Sequence, residues 1–168
     1  MNSSALISKC GQYRYRLERR IGDGPTVLGI MINPSWADAL HNDRTILRWI
    51  GFAERNGWGR IVIGNKFAFR SQFPRDMNQC SDPIGPENDF HLRNMFAEAD
   101  LCIAAWGPIA KIPRSSLRGR WISVHRMAQE ADKKFHCWGV AKDGHPLHPL
   151  MLPYSSRLMP WRAPTGER

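Results

Sequence analysis

The sequence predicts a single α/β domain: a three-layer α/β/α sandwich whose central sheet is mainly parallel and has about four strands. Three observations predict it. Short apolar runs recur along the chain and end in turn-forming residues, segments of helical spacing separate them, and a length of 168 residues suits one hydrophobic core. The domain is placed at residues 10–155, with residues 1–9 and 156–168 as flexible or surface-wrapping termini.

Each element follows from its own pattern. Tyr13-Arg14-Tyr15-Arg16-Leu17 alternates aromatic and basic side chains, as a half-exposed strand does, and predicts an N-terminal edge strand or hairpin. Thr26 to Ile32 is a continuous apolar run that stops at Asn33-Pro34, too short for an independent helix and too uniform for a strand with one wet face. It predicts a buried parallel strand. Arg60 to Gly64, Leu101 to Ala105 and Phe135 to Val140 repeat that logic. Between the runs, Ile46, Trp49, Ile50 and Ala53 share one helical face, as do Phe90, Met95, Phe96 and Ala99, and then Trp121, Val124, Ala128 and Ala131. Asp43 is placed to cap the first helix, Gly57 and Gly59 to end it, and Asn88 or Asp89 to cap the second. Strands alternating with helices argue for right-handed βαβ units.

Composition narrows the function. A hydrophobic content of 42% and a charged content of 23% are those of an ordinary globular protein. No stretch approaches the roughly 20 apolar residues of a membrane span, so a soluble, cytoplasmic protein without a membrane partner is expected. Cys10, Cys80, Cys102 and Cys137 are scattered and form no CxxC pair, which argues against a disulfide framework or a zinc site. No cofactor is expected. The formal net charge is +9, and arginine is prominent in it, through Arg14, Arg16, Arg19, Arg20, Arg114, Arg118, Arg120 and Arg126. A guanidinium fork matches phosphate oxygens, so the expected partner is nucleic acid, foremost DNA, or a nucleotide. Oligomeric state has no signal in the sequence.

In sheets of this kind ligands bind beyond the carboxyl ends of the strands, which singles out four loops. After the first apolar run come Asn33-Pro34-Ser35-Trp36-Ala37-Asp38 and then Asn42-Asp43-Arg44-Thr45. Pro34 holds Asn33 extended, displaying an amide that can hold a water or a base edge. An amide cannot take a proton, so a general base here is Asp38 or Asp43. Pro34 and Ser35 would border the base and Arg44 a phosphate. After the second run, Asn65-Lys66-Phe67-Ala68-Phe69-Arg70 combines an amide with aromatics and cations. Asn65 and Phe67 are candidates for the base, Lys66 and Arg70 for phosphate. The third run ends in Trp106-Gly107-Pro108, a flat apolar wall beside a permissive glycine, with Arg114 and Arg118 downstream as phosphate candidates. The fourth leads to His145-Pro146-Leu147-His148-Pro149, two imidazoles on a proline-stiffened loop, able to act as acid or base or to donate to a developing anion. His145, His148 and Asp38 together would be the ligands of a metal-assisted alternative, although they lack a known ligand spacing.

Taken in order, YRYRL, IMINPSWAD, NDRTILR, GNKFAFR, DPIGPEND, AAWG and GHPLHPL closely resemble the bacterial and phage family catalogued as domain of unknown function 1643, from Tyr13 to about Leu152. Their layout in turn resembles the uracil-DNA glycosylase superfamily, which also sets a polar-Pro motif after its first strand, an Asn after the next and a His-Pro loop after the last. That resemblance implies a uracil-DNA glycosylase-like sandwich. It makes Asn33 the polar residue of the first motif, Asn65 the base-reading amide and His145 the histidine that contacts the base during bond cleavage, with Asp38 or Asp43 to activate water. Phe67 or Trp106 would stack the base, and His148 would border it. Three departures stand out: the strongest uracil-excising members carry Asp where this chain has Asn33, their loop His is usually followed by Pro-Ser, and the iron-sulfur cysteine set of some branches is missing here. The implied function is recognition of a nucleic-acid base, with DNA glycosylase-like hydrolysis of an N-glycosidic bond to an unusual or modified base. The alternative is a non-catalytic nucleic-acid or nucleotide binding module.

Overall fold

A computed structural model describes residues 3–165. Among them seven strands form one sheet: β1 Ser3–Ile7, β2 Arg14–Arg20, β3 Thr26–Met31, β4 Arg60–Asn65, β5 Leu101–Ala104, β6 Phe135–Cys137 and β7 Met159–Pro160, in the order β1-β2-β4-β3-β5-β6-β7. The centre is parallel, β4, β3, β5 and β6 running together. The flanking pairs, β1 with β2, β2 with β4, and β6 with β7, are antiparallel.

Successive residues of a strand point to opposite faces, and both faces of this sheet are apolar. Leu28, Ile30, Val62, Cys102 and Ala104 pack with α2 Asn88–Glu98 and α3 Arg120–Glu130. Val27, Met31, Ile61, Ile63 and Ile103 pack with α1 Arg44–Asn56. Helices therefore cover both faces, as the uninterrupted apolar runs predict.

The first helix follows its sequence pattern closely. Ile46, Trp49, Ile50 and Ala53 are buried, the Asp43 side chain accepts from the Ile46 amide, and Gly57 at φ 67° ends the helix in the left-handed conformation. The second does not. Phe90 is 64% exposed, and the buried face is built on Leu92, Met95 and Phe96. Neither Asn88 nor Asp89 caps it. The residue ahead of the helix is Glu87, which makes no capping bond; Asn88 Nδ2 donates to the Asn65 and Lys66 carbonyls, and Asp89 pairs with Arg120. Contacts across the fold have taken both side chains away from the helix end.

Three further expectations are corrected. The sheet has seven strands rather than about four, because antiparallel additions on each side extend the parallel centre. The N-terminal segment expected as a loose end contains β1, which pairs antiparallel with β2, so that the expected N-terminal edge strand or hairpin is a hairpin with β1 at the sheet edge. Met1 and Asn2 lie outside the described residues, as do positions 166–168. The fourth run is a strand only to Cys137. Trp138 leaves it to pack on Trp49 and Phe52, and Gly139 turns the chain at φ 133°. The C-terminal segment crosses the sheet edge as β7 and then buries Trp161, whose indole N–H donates to the Gly144 carbonyl (3.1 Å).

Candidate functional site

Chain order and spatial order part company around β3. From β3 the chain passes through α1 to β4 on one side; from β4 it passes through α2 and back across β3 to β5 on the other. The helices that follow β3 and β5 cover opposite faces, so the loops leaving these neighbouring strands separate. A crevice at the carboxyl ends is the result, and it is where open α/β sheets hold ligands.

A cavity of about 360 Å³ lies there. That is the lower part of the range of about 300–1,000 Å³ usual for small-molecule pockets. The β3 exit contributes Met31, Ile32, Asn33 and Ser35; the β5 exit contributes Trp106, Gly107 and Pro108. Asp43 and Thr45 come from the start of α1, Ser71, Gln72 and Pro74 from the segment beyond β4, and Lys111, His148 and Leu150 from later loops. Arg14 reaches it from β2.

Hydrogen bonding fixes what several of these side chains present. Asn33 Nδ2 donates to the Ser71 carbonyl (3.1 Å) and the Pro34 carbonyl (3.3 Å). Its Oδ1 has no hydrogen bond among the described residues, so Asn33 offers the cavity an acceptor. Asp43 Oδ1 accepts from the Ile46 amide (2.9 Å), and Oδ2 stays free of described residues. The Leu150 amide donates to His148 Nδ1 (3.2 Å), which in the neutral ring places the proton on Nε2. Burial pushes the His148 pKa below its usual value, and the Lys111 charge acts the same way; the Asp43 charge opposes them. His148 is therefore a neutral donor at neutral pH. Gly107, at φ 76°, lets the β5 exit turn close to it.

His145 stands behind this wall rather than in it. It is fully buried, accepts from the Trp106 indole N–H at Nδ1 (3.2 Å), and meets Trp121 edge-on at 5.4 Å. Asp143 ties the two loops together, accepting from the Ile109 amide (2.8 Å) and the His145 amide (3.1 Å).

The sequence-derived candidates thus divide. Asn33, Ser35, Asp43, Trp106 and His148 line one cavity. Asp38 does not: its carboxylate accepts from the Leu40 and His41 amides (2.8 Å each), which hold its pKa down at about 2, and it serves the turn. Asn65 and Phe67 are buried away from the lining, Phe67 in the core, and both polar atoms of the Asn65 side chain are without a hydrogen-bond partner among the described residues. Pro34 is buried in the turn that Asn33 organises. Lys66 is buried with its ammonium 5.1 Å from the Trp106 ring centroid. Arg114 is committed to the Met77 and Cys80 carbonyls and Arg118 to the Ile112 carbonyl. Arg70 lies 5.8 Å from the Trp36 ring centroid and bonds the Gly11 carbonyl, while Arg44 is exposed on α1. Among the described residues, no three His, Cys, Asp or Glu side chains stand close enough to hold a metal ion, and His145 and Asp38 have the separate partners just given. No described helix is long and apolar enough to cross a membrane.

Arg14, Thr45, Ser71, Gln72 and Lys111 were not legible as site residues. Ser71 and Gln72 directly follow the GNKFAFR motif, and that adjacency is the signal the sequence held. Arg14 had a contrary signal, since strict alternation sends it to the same side as Arg16. The pairing of β1 with β2 breaks that alternation: Leu6 faces Arg16 and Ile7 faces Arg14, leaving Tyr15 as an extra residue. Such a bulge re-aims a side chain.

The model of a family described as "Protein of unknown function (DUF1643)" matches residues 14–150. No curated protein and no solved structure matches the chain.

Proposed function

We propose, because the chain belongs to DUF1643, a family whose description assigns no function, that its site be read on its own chemistry as a nucleobase pocket that hydrolyses an N-glycosidic bond. One observation carries this reading. An acceptor amide oxygen on Asn33, a carboxylate on Asp43 and a neutral imidazole donor on His148 line one cavity of about 360 Å³ at the switch point of the sheet. The layout resemblance to the uracil-DNA glycosylase superfamily supports it at Asn33. The leaving-base role moves from His145 to His148.

An N-glycosidic bond breaks through an oxocarbenium-like sugar as negative charge arrives on the base. Asn33 Oδ1 and Asp43 orient a water toward the anomeric carbon. As the carbon–nitrogen bond breaks and the carbon–oxygen bond forms, Asp43 takes the water's proton, and His148 Nε2–H stabilises the departing base anion. Trp106 supplies the apolar wall. The substrate class is a base flipped from, or unpaired in, nucleic acid.

The test is incubation of the full chain with single- and double-stranded oligonucleotides carrying uracil, thymine mismatches or hypermodified bases, followed by alkali. Cleavage at one base class is expected, slowed about 10²–10⁴-fold by His148→Ala or Asp43→Asn. Strands that all stay intact would overturn the catalytic reading. A non-catalytic base-binding module is the second reading, favoured by the amide at Asn33 and by the engagement of Asp43 as a helix cap. It predicts oligonucleotide binding without strand breaks.

A further inference from the structure

Two arginines of β2 lie buried beneath the loop that runs from Asn33 to Asp43, and they are used differently. Arg19, 2% exposed, gives Nε to Asn42 Oδ1 (2.8 Å), Nη1 to the Glu18 carbonyl and Nη2 to the Asp38 and His41 carbonyls. Three of these four bonds pin the loop. Among the described residues Arg14, 1% exposed, makes one side-chain hydrogen bond, from Nη1 to the Ala37 carbonyl (2.7 Å). Among the described residues its buried Nε has no hydrogen-bond partner, and the side chain forms no ion pair. Pinning the loop leaves most of the Arg14 donor set unused.

A buried cation in no direct ion pair is costly, because distant carboxylates offset little of its desolvation. Burial pulls the Arg14 pKa down to about 10, Asp43 and Asp38 opposing and Arg70 and Arg19 assisting, so the group stays charged at neutral pH. The β-bulge at Tyr15 holds this charge against the cavity rather than in solvent. Ser35 and Thr45 add hydroxyls to the same lining, and Lys111 adds a second cation. The cavity therefore has a charged, underused, planar donor fork in its wall, the group best matched to a tetrahedral oxyanion.

We propose that Arg14 receives a phosphate group of the ligand held in this cavity, so that the pocket takes a phosphorylated nucleoside rather than a bare base or nucleoside. The proposal rests on the nucleobase reading and narrows its substrate class. A phosphate oxygen has two sources here, the monoester of a free or terminal nucleotide and the diester of a strand.

The experiment is calorimetric titration of the full chain, at constant ionic strength, with a nucleoside, its 5′-monophosphate, the corresponding dinucleoside phosphodiester and inorganic phosphate. The monophosphate or the diester is expected to bind at least about tenfold more tightly than the nucleoside, as a charge-assisted hydrogen bond implies. A monoester preference identifies a nucleotide substrate, and equal affinities for the two esters identify a strand. Arg14→Gln should erase the advantage over the nucleoside, and Arg14→Lys should restore part of it. Should Arg14→Gln fail to fold, competition on the unaltered protein decides: inorganic phosphate must weaken binding of the monophosphate more than binding of the nucleoside. Equal affinity for nucleoside and both esters, or no competition by phosphate, overturns the proposal. Base release with no phosphate preference would remove this inference and leave the glycosidic reading standing, whereas Arg14-dependent phosphate binding without base release would do the reverse.

Discussion

Asp38 and Asp43 share one loop, and their hydrogen bonds give them different work. Asp38 accepts two backbone amides, Leu40 and His41, and lies outside the cavity lining; Asp43 caps α1 with one oxygen and keeps the other for the cavity. Asp38→Asn should therefore leave base release within about twofold of the parent, in contrast to Asp43→Asn. It should instead lower the melting temperature. The Asp38 pKa falls from 3.8 to about 2 in the folded chain, so its contribution is complete above 3.8 and is lost as pH falls through about 2. Thermal melts of parent and variant should differ at neutral pH and converge in strong acid; a constant gap would sink this account. Of the sequence-derived residues that line the cavity, Asn33, Ser35 and Trp106 come just after strand ends and Asp43 caps a helix, which is what made them legible. His145 lies behind the cavity wall for a physical reason. On a loop after a strand, two imidazoles separated by two residues can exchange roles, and the Trp106 indole captures one of them.

At the level of elements, the approach of α1 to the sheet sets where Asp43 stands. Trp49 packs onto β3 at Gly29, where an added Cβ would lie 2.5 Å from the indole carbons Cη2 and Cζ2 and 3.0 Å from Ile63 Cδ1. Gly29→Ala forces the helix or the indole to move. It should destabilise the protein by about 1–3 kcal/mol, the usual cost of overpacking. Urea denaturation should show a lower midpoint with an unchanged slope; an unaltered midpoint would mean that Trp49 moves freely. The α1 signals, cap, periodicity and terminal glycine, were all written locally and all read correctly. The α2 cap and the Tyr15 bulge were not, because each depends on strands or helices far away in the chain.

For the whole molecule, covering both faces of the sheet has a price in acid. His91, His125 and His148 sit on or against different helices and loops, and burial lowers the pKa of all three below 6.5. The folded state then binds fewer protons than the unfolded chain. Stability is fully present above the unfolded value of 6.5 and is lost as pH falls through the depressed folded values. A melting temperature that declines from about pH 7 to about pH 5 is expected, and a flat profile would contradict it. Base release should decline over the same interval if His148 must be neutral to keep its Leu150 hydrogen bond.

By itself the sequence determined the parallel centre, the alternation of strands and helices, the capped first helix, and the family. Those features are carried by periods of two and of 3.6 residues, by turn residues and by contiguous motifs, all of which are local. Tertiary structure alone decided how far the sheet extends, to β1 outside β2 and to β7 outside β6, that His148 and not His145 faces the cavity, and that Arg14 turns inward. Strand neighbours, bulges and hydrogen-bond partners are settled between segments distant in the chain, and no local pattern encodes the far partner.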